Sequence, residues 1–158
     1  MKTITVYNRN YGRYPYGAYK SNNNLLFPVS NTDNRLNAKE RVLAVIIDGD
    51  AKAFQFARLE GNNNLFYNTV KGVKLVISGN KNANLMVAYN RVLADGTELD
   101  FQYLPNQLPA LMKDTEGTTW DVFGRAISGP RIGQKLETVP QMMGYWFAFA
   151  TFYSDIEL

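Results

Sequence analysis

The sequence predicts a mainly β fold, with an α+β arrangement as the alternative, in a single compact domain. Short runs of β-branched and aromatic residues recur after residue 40, and turn signals separate them about every 8–12 residues. A chain of 158 residues is long enough to bury one hydrophobic core. No apolar run reaches the roughly 18 residues that a membrane-spanning helix needs. We therefore expect one body of short antiparallel strands and no membrane span.

Six runs have the composition of strands. The first, 41–47 (RVLAVII), is apolar and β-branched, and the second alternates small and aromatic side chains. Asp48-Gly49 and Asp95-Gly96 are hairpin signals, because such dipeptides readily adopt the left-handed backbone of tight turns. The predicted strands are 41–47, 52–59, 65–70, 73–77, 85–93 and 98–104.

The two flanking segments differ from this β core. Turn dipeptides and Asn clusters in the first 40 residues predict an irregular arm that wraps the body. The last third is rich in glycine and ends in PQMMGYWFAFATFY, for which we predict a C-terminal helix that begins at Pro140, with a terminal strand as the alternative. The expected anchors of the arm are Tyr16, Leu25, Phe27 and Val29. The predicted division is arm 1–40, β core 41–104, and turn-rich segment with terminal helix 105–158.

The residues that are missing restrict the chemistry. The chain has no Cys and no His, so it cannot build thiol nucleophiles, zinc thiolates, a Ser-His-Asp triad or a His-bound metal. Asp48-Gly49-Asp50 offers two carboxylates to a hard cation, but the further oxygen ligands of a calcium loop are absent, which favours a tight turn. We expect no cofactor and no metal, and binding rather than catalysis, with the catalytic residues unknown if there are any.

Three acidic residues surround a tryptophan in the last third. Asp114, Glu116 and Asp121 lie close in sequence to Trp120. Paired carboxylates beside an aromatic ring are what a glycosidase needs, and flat rings with amides suit a carbohydrate-binding module. The alternative is a turn that carries a buried Trp and solvated acids.

The positive charge is concentrated near the N-terminus. The chain has a formal charge of +3, and the first 41 residues carry seven Lys or Arg against two acidic residues. Basic residues interleaved with tyrosines are typical of single-stranded nucleic-acid surfaces. The low net charge and the lack of clustering favour Tyr rings that cover a core edge beneath Lys and Arg stems. A nucleic-acid partner is therefore not expected.

Five stretches in a fixed order resemble the bacterial family called "domain of unknown function 3179". The resemblance covers nearly the whole chain from about Tyr14, and it depends on linked motifs rather than on one decisive motif. The stretches are YPYGAYKSNNNLLFPVSNTDNRLNAKERVLAV, IDGDAKAFQFARL, LFYNTVKGVKLVI, VAYNR and KDTEGTTWDVFGRAISGPRIGQKLETVP.

The resemblance implies a Cys-Pro-x-Cys motif where this chain has Asn80-Lys81-Asn82-Ala83. A thiolate pair attacks disulfides or binds soft metals, and amide and methyl groups do neither. The resemblance thus implies a non-redox member that binds a small polar ligand or a protein in the vacated pocket. The ligand-binding residues predicted from motif position are Asn80, Asn82, Tyr67, Asn68, Arg91, Asp114 and Trp120.

The N-terminus MKTITVYNRN lacks the apolar core of a signal peptide. Relatives mostly carry export signals. The resemblance therefore implies an extracytoplasmic location if a leader was removed, and a cytoplasmic one otherwise.

Overall fold

The computed structural model describes residue 12 and residues 16–61 and 64–158. In this part of the chain, ten strands form three antiparallel sheets, so the mainly β prediction is confirmed. The sheets have the orders β10-β1-β2, β3-β4-β5 and β6-β7-β8-β9. The elements are β1 (Arg41–Ile47), β2 (Asp50–Gln55), β3 (Leu65–Val70), β4 (Val73–Asn80), β5 (Leu85–Asn90), β6 (Phe101–Tyr103), β7 (Ala110–Asp114), β8 (Thr119–Asp121), β9 (Ala126–Ser128), β10 (Gln141–Tyr145) and α1 (Trp146–Phe152), with short 3-10 segments at Gly17–Ser21 and Phe56–Arg58.

The hairpin between β1 and β2 forms at the predicted turn. Asp48 and Gly49 have φ values of 48° and 89°, and Ile47 pairs with Asp50 directly across the turn. Such a two-residue turn matches the right-handed twist of the strands it joins. The Asp50 carboxylate lies 3.1 Å from the Lys71 ammonium. The tight-turn interpretation is therefore confirmed.

The sheets stack in layers because the central strands are buried on both faces. Leu75 and Ile77 of β4 pack with the first sheet, and Val76 packs with the third sheet. In the same way, β1 directs alternate residues toward the second sheet and toward α1. A strand that is buried on both faces is a continuous apolar run rather than an alternating one, as in 42–47 and 75–77.

A glutamine side chain joins the first two sheets at their edges. The Gln141 amide oxygen accepts a hydrogen bond from the Ala88 N–H at 2.7 Å, and its Nε2 donates to the Ala88 carbonyl at 2.8 Å. The side chain therefore pairs with the edge of β5 as a neighbouring strand would. Beside it, the Asn90 N–H donates to the Glu137 carbonyl. This pairing satisfies backbone groups that an open edge would leave exposed.

The C-terminal helix begins six residues later than predicted. The segment that follows Pro140 pairs with β1 as β10, and the Pro140 carbonyl accepts a hydrogen bond from the Ile46 N–H. Only Trp146–Phe152 is helical. Trp146, Phe149 and Ala150 then face the core at helical spacing. The predicted start at Pro140 was wrong because pairing with β1 satisfies the backbone through Tyr145.

The third sheet contains strands that the sequence pattern did not predict. β7, β8 and β9 occupy part of the segment predicted to be turn-rich, and two of them have only three residues. Register shifts interrupt the pairing of β8 with both neighbours. Strands this short do not display a clear alternation of side chains, so composition alone indicated turns.

Polar contacts, rather than the expected aromatic anchors, fasten the described part of the arm. Tyr16 and Phe27 are 59% and 79% exposed and are therefore not buried against the body, whereas Leu25 and Val29 are half-buried. The buried Lys39 ammonium donates to the carbonyls of Tyr19 and Asn24 and has a lowered pKa because burial disfavours its charge.

Arg35, in the described part of the arm, is also engaged internally. Arg35 pairs with Asp33 and lies 5.3 Å from the ring centroid of Trp146. The Trp146 indole N–H in turn donates to the Asp33 carbonyl at 2.9 Å. Arg35 therefore serves the attachment of the arm, and its charge is partly neutralised by Asp33.

Candidate functional site

A polar cleft of about 310 Å³ lies at the end of β4. We call it the amide cleft. Three connections form it: the segment after Arg58, the turn between β4 and β5, and the segment after β6. Among the described residues, its lining consists of Leu59, Glu60, Gly61, Asn64, Asn80, Lys81, Asn82, Tyr103, Pro105 and Asn106. Two predicted site residues, Asn80 and Asn82, therefore lie at this cleft.

Asn80 holds one wall of the amide cleft in place. It pairs with Leu85 at the end of the β4–β5 ladder. Its side-chain oxygen accepts a hydrogen bond from the Ala83 N–H at 2.9 Å, which closes the turn. Its Nδ2 donates to the Tyr103 hydroxyl at 3.1 Å, which ties the turn to β6. Asn80 is thus mainly a positioning residue for the cleft.

Several polar side chains of the amide cleft have no partner among the residues that the structure describes. In residues 16–61 and 64–158, the side chains of Glu60, Lys81, Asn82 and Asn106 make no hydrogen bond or ion pair. The Tyr103 hydroxyl accepts from Asn80, and its own proton remains available. The cleft therefore presents a carboxylate, an ammonium, two amides and a hydroxyl to a ligand. Sequence reasoning missed Glu60, Lys81, Tyr103 and Asn106 because they lie in separate connections.

Tyr67 and Arg91 form a second polar cluster outside the amide cleft. The Arg91 guanidinium lies 4.6 Å from the Tyr67 ring centroid and 2.7 Å from an Asp100 carboxylate oxygen, and it also pairs with Glu98. The Tyr67 hydroxyl donates to the Phe101 carbonyl at 3.1 Å and accepts from the Phe101 N–H. These contacts join β3 to the third sheet.

Asn68 lies on the opposite face of β3 from Tyr67. Its side-chain oxygen accepts a hydrogen bond from the Thr69 N–H at 2.8 Å. Asn68 thus satisfies its neighbour's backbone and does not line the amide cleft.

The ion pairs that Glu98 makes in the Tyr67–Arg91 cluster predict a pH-dependent stability. The pKa of Glu98 lies below its ordinary value of 4.5, chiefly because Lys74 donates a hydrogen bond to its carboxylate. Because the pKa of Glu98 is lower in the folded than in the unfolded protein, its ionised carboxylate stabilises the fold. This stabilisation is fully present above the pKa of the unfolded state and is lost as the pH falls through the pKa of the folded state. The urea midpoint of Glu98→Gln should therefore be lower than that of the wild type at about pH 7, and the two midpoints should approach each other at about pH 3.

Two lysine variants provide a second test and a control for this measurement. Lys74→Met should reduce the same pH dependence, because it removes the hydrogen bond that lowers the pKa of Glu98. Lys113→Met removes an exposed lysine that makes no ion pair within the described ranges and should leave the dependence intact. A difference between Glu98→Gln and wild type that does not vary with pH would contradict the assignment.

Asp114 and Trp120 lie in the core and not at a cleft. Trp120 is 0% exposed, and its indole N–H donates to the Asp114 carboxylate at 2.9 Å. The other Asp114 oxygen accepts from the Thr118 N–H at 2.8 Å. Trp120 therefore offers no ring face to a sugar, because stacking requires an exposed ring.

The neighbouring acids are also engaged internally. Glu116 accepts two hydrogen bonds from the Arg131 guanidinium, at 2.6 and 2.8 Å. Asp121 is buried and accepts the N–H groups of Phe123 and Arg125. The arrangement that a glycosidase requires, two carboxylates open to a substrate beside an exposed ring, does not occur here.

A larger cleft of about 530 Å³ lies elsewhere, and sequence reasoning missed it. We call it the C-terminal cleft; its lining runs over 49–52, 69–71 and 152–157. Its two lysines are already paired, Lys52 with Glu157 at 3.0 Å and Lys71 with Asp50 at 3.1 Å. A ligand there would have to compete with these ion pairs.

The described residues form neither a metal-binding cluster nor a membrane-spanning helix. Within 16–61 and 64–158, no three acidic side chains are grouped so as to hold a metal ion. In the same ranges, no helix combines the length and the apolarity that a membrane crossing requires.

Comparison with known proteins identifies the family of this chain. The model of a family described as "Protein of unknown function (DUF3179)" matches residues 1–156 of the 158. Neither the curated proteins nor the solved structures gave a match. The near full-length match confirms the resemblance that the sequence motifs indicated, and the absence of Cys confirms that the family's dithiol is missing. This chain belongs to the DUF3179 family.

Proposed function

We propose that this protein binds a small polar ligand in the amide cleft and performs no thiol redox chemistry. The observation that carries the proposal is the convergence of Asn82, Asn106 and Tyr103 from separate connections, with polar groups left for a ligand. Unpartnered amides and hydroxyls that converge in one cleft recognise ligand donors and acceptors. Leu59 adds a buried apolar residue to the lining.

The size and the position of the cleft both support a small ligand. A volume of about 310 Å³ is at the lower end for small-molecule sites, which makes a metabolite a better fit than a folded protein. The family resemblance implies that the Cys-Pro-x-Cys motif of relatives would fall at residues 80–83, three of which line the cleft. Asn80 and Ala83 have no sulfur there, so recognition remains and electron transfer does not.

The proposal predicts that two exposed amides contribute to ligand binding through hydrogen bonds that they do not make within the described protein. Asn82→Ala and Asn106→Ala should each weaken the binding of a hit from a metabolite library about ten-fold, because each removes hydrogen bonds made only to the ligand. The melting temperature of free Asn82→Ala should equal that of the wild type, since its side chain has no internal partner among the described residues. That of Asn106→Ala should be slightly lower, because Asn106 has a φ of 58°, where asparagine is more favourable than alanine. Hits come from a thermal-shift screen, and calorimetric titration then gives the affinities.

Asn34→Ala is the matched control, since Asn34 is also exposed and lies outside the amide cleft. It should leave the affinity unchanged. The proposal fails if no library compound binds, if Asn34→Ala weakens binding as much as the cleft variants, or if ligand-induced NMR shifts map to the C-terminal cleft.

A further inference from the structure

We infer that the ligand of the amide cleft carries both an ammonium and a carboxylate group, as an amino acid or a short peptide does. The inference rests on the proposed function and concerns the class of ligand. Glu60 and Lys81 both line the cleft, and they do not form an ion pair with each other. The cleft thus presents one negative and one positive group, each without a protein partner in the described ranges.

Backbone hydrogen bonds fix the two segments that carry these charged side chains. The Glu60 N–H donates to the Arg58 carbonyl at 2.9 Å, and the Lys81 carbonyl accepts from the Asn84 N–H at 3.1 Å across the β4–β5 turn. Glu60 therefore approaches from the segment after the second 3-10 turn, and Lys81 approaches from the β4–β5 turn. The lysines of the C-terminal cleft differ, because each already has a carboxylate partner.

The charges discriminate among ligand classes. A ligand in the cleft displaces part of the water around Glu60 and Lys81, and a charge that loses water without gaining a partner is destabilised. A neutral sugar gives neither charge a partner. Glu60 repels an anionic ligand, and Lys81 repels a cationic one. A ligand with both signs gives each a partner and leaves Asn82, Asn106 and the Tyr103 hydroxyl for its neutral polar groups.

The experiment uses glycine, glycylglycine and triglycine, which separate the two charged ends by increasing distances. Binding to the full chain is measured by NMR chemical-shift titration, with residues that line the amide cleft as reporters. At least one of the three should bind there. N-acetylation or C-terminal amidation of that probe should each weaken its binding about ten-fold, because each removes one charged hydrogen bond.

Two variants assign the ends of the probe. Glu60→Gln should abolish the penalty of N-acetylation, and Lys81→Gln should abolish the penalty of amidation. Both residues are exposed, so the variants are expected to fold as the wild type does. Lys113→Gln, an exposed lysine on β7 outside the cleft, is the matched control and should leave both penalties unchanged.

The outcomes separate this inference from the proposed function. Binding of the neutral disaccharide maltose in the cleft, without binding of any glycine probe, would overturn the ligand class and leave the cleft as a binding site. Equal affinity for the parent probe and its two blocked forms would also overturn it. Failure of the metabolite library and of all the probes to bind would reject the proposed function as well.

Discussion

Replacing Asp114 with alanine is expected to lower the free energy of unfolding by about 4 kcal/mol. The carboxylate is 5% exposed and accepts one hydrogen bond from the Thr118 N–H and one from the Trp120 indole. Alanine leaves both donors buried without an acceptor and also leaves a small cavity. Because Trp120 fills the core between the second and third sheets, the loss should affect global unfolding.

Asparagine at the same position separates the loss of hydrogen bonds from the loss of volume. The side chain of Asp114→Asn keeps its shape and retains one acceptor oxygen, but its NH₂ group faces the other donor. We therefore expect a smaller loss, about 2 kcal/mol. Urea unfolding followed by tryptophan fluorescence measures both variants, with the slope checked for two-state behaviour. A stability of Asp114→Ala within about 1 kcal/mol of wild type would show that the two hydrogen bonds contribute little.

Replacing Gly79 with alanine is expected to cost about 3 kcal/mol of stability and to abolish binding in the amide cleft. A Cβ at this position would lie 2.4 Å from the Leu85 carbonyl oxygen and 2.6 Å from Leu59 Cδ1. The first atom belongs to the backbone of the paired strand, so it cannot move without breaking the β4–β5 ladder. The second belongs to the lining of the cleft.

A glycine in open space provides the comparison for Gly79. Gly72 has a φ of 80°, and a Cβ there would have no neighbour within 4 Å. Gly72→Ala should therefore cost only about 1 kcal/mol, through backbone strain alone. Adding Leu59→Val to Gly79→Ala should restore little stability, because the clash with the Leu85 carbonyl remains. Equal melting temperatures for Gly79→Ala and Gly72→Ala would contradict the steric explanation.

Local sequence was sufficient to predict β1, β3 and the Asp48-Gly49 hairpin. A β-branched run and a turn dipeptide are local signals that do not depend on what packs against them. The C-terminal element was less predictable because PQMMGYWFAFATFY suits both a strand and a helix. Its division after Tyr145 follows from the length of β1, which provides partners for β10 and then ends.

The candidate site was only partly predictable. The family resemblance indicated Asn80 and Asn82, and both line the amide cleft. The other predicted residues include polar and aromatic side chains of the types that bind ligands. Three of them, Tyr67, Arg91 and Trp120, instead contact other residues of the protein. Composition does not reveal whether a polar side chain has found an internal partner.

The sequence by itself determined which chemistry is excluded and where the first strands and turns form, because residue types and local backbone preferences require no knowledge of distant contacts. The tertiary structure decided which polar groups remain available to a ligand. Glu60, Lys81 and Asn106 lie in three connections far apart along the chain, and they share a cleft only because the second and third sheets stack at the end of β4. Asp114 accepts its hydrogen bonds within the β7–β8 hairpin, from Thr118 and Trp120, and only the folded structure shows that this carboxylate is buried.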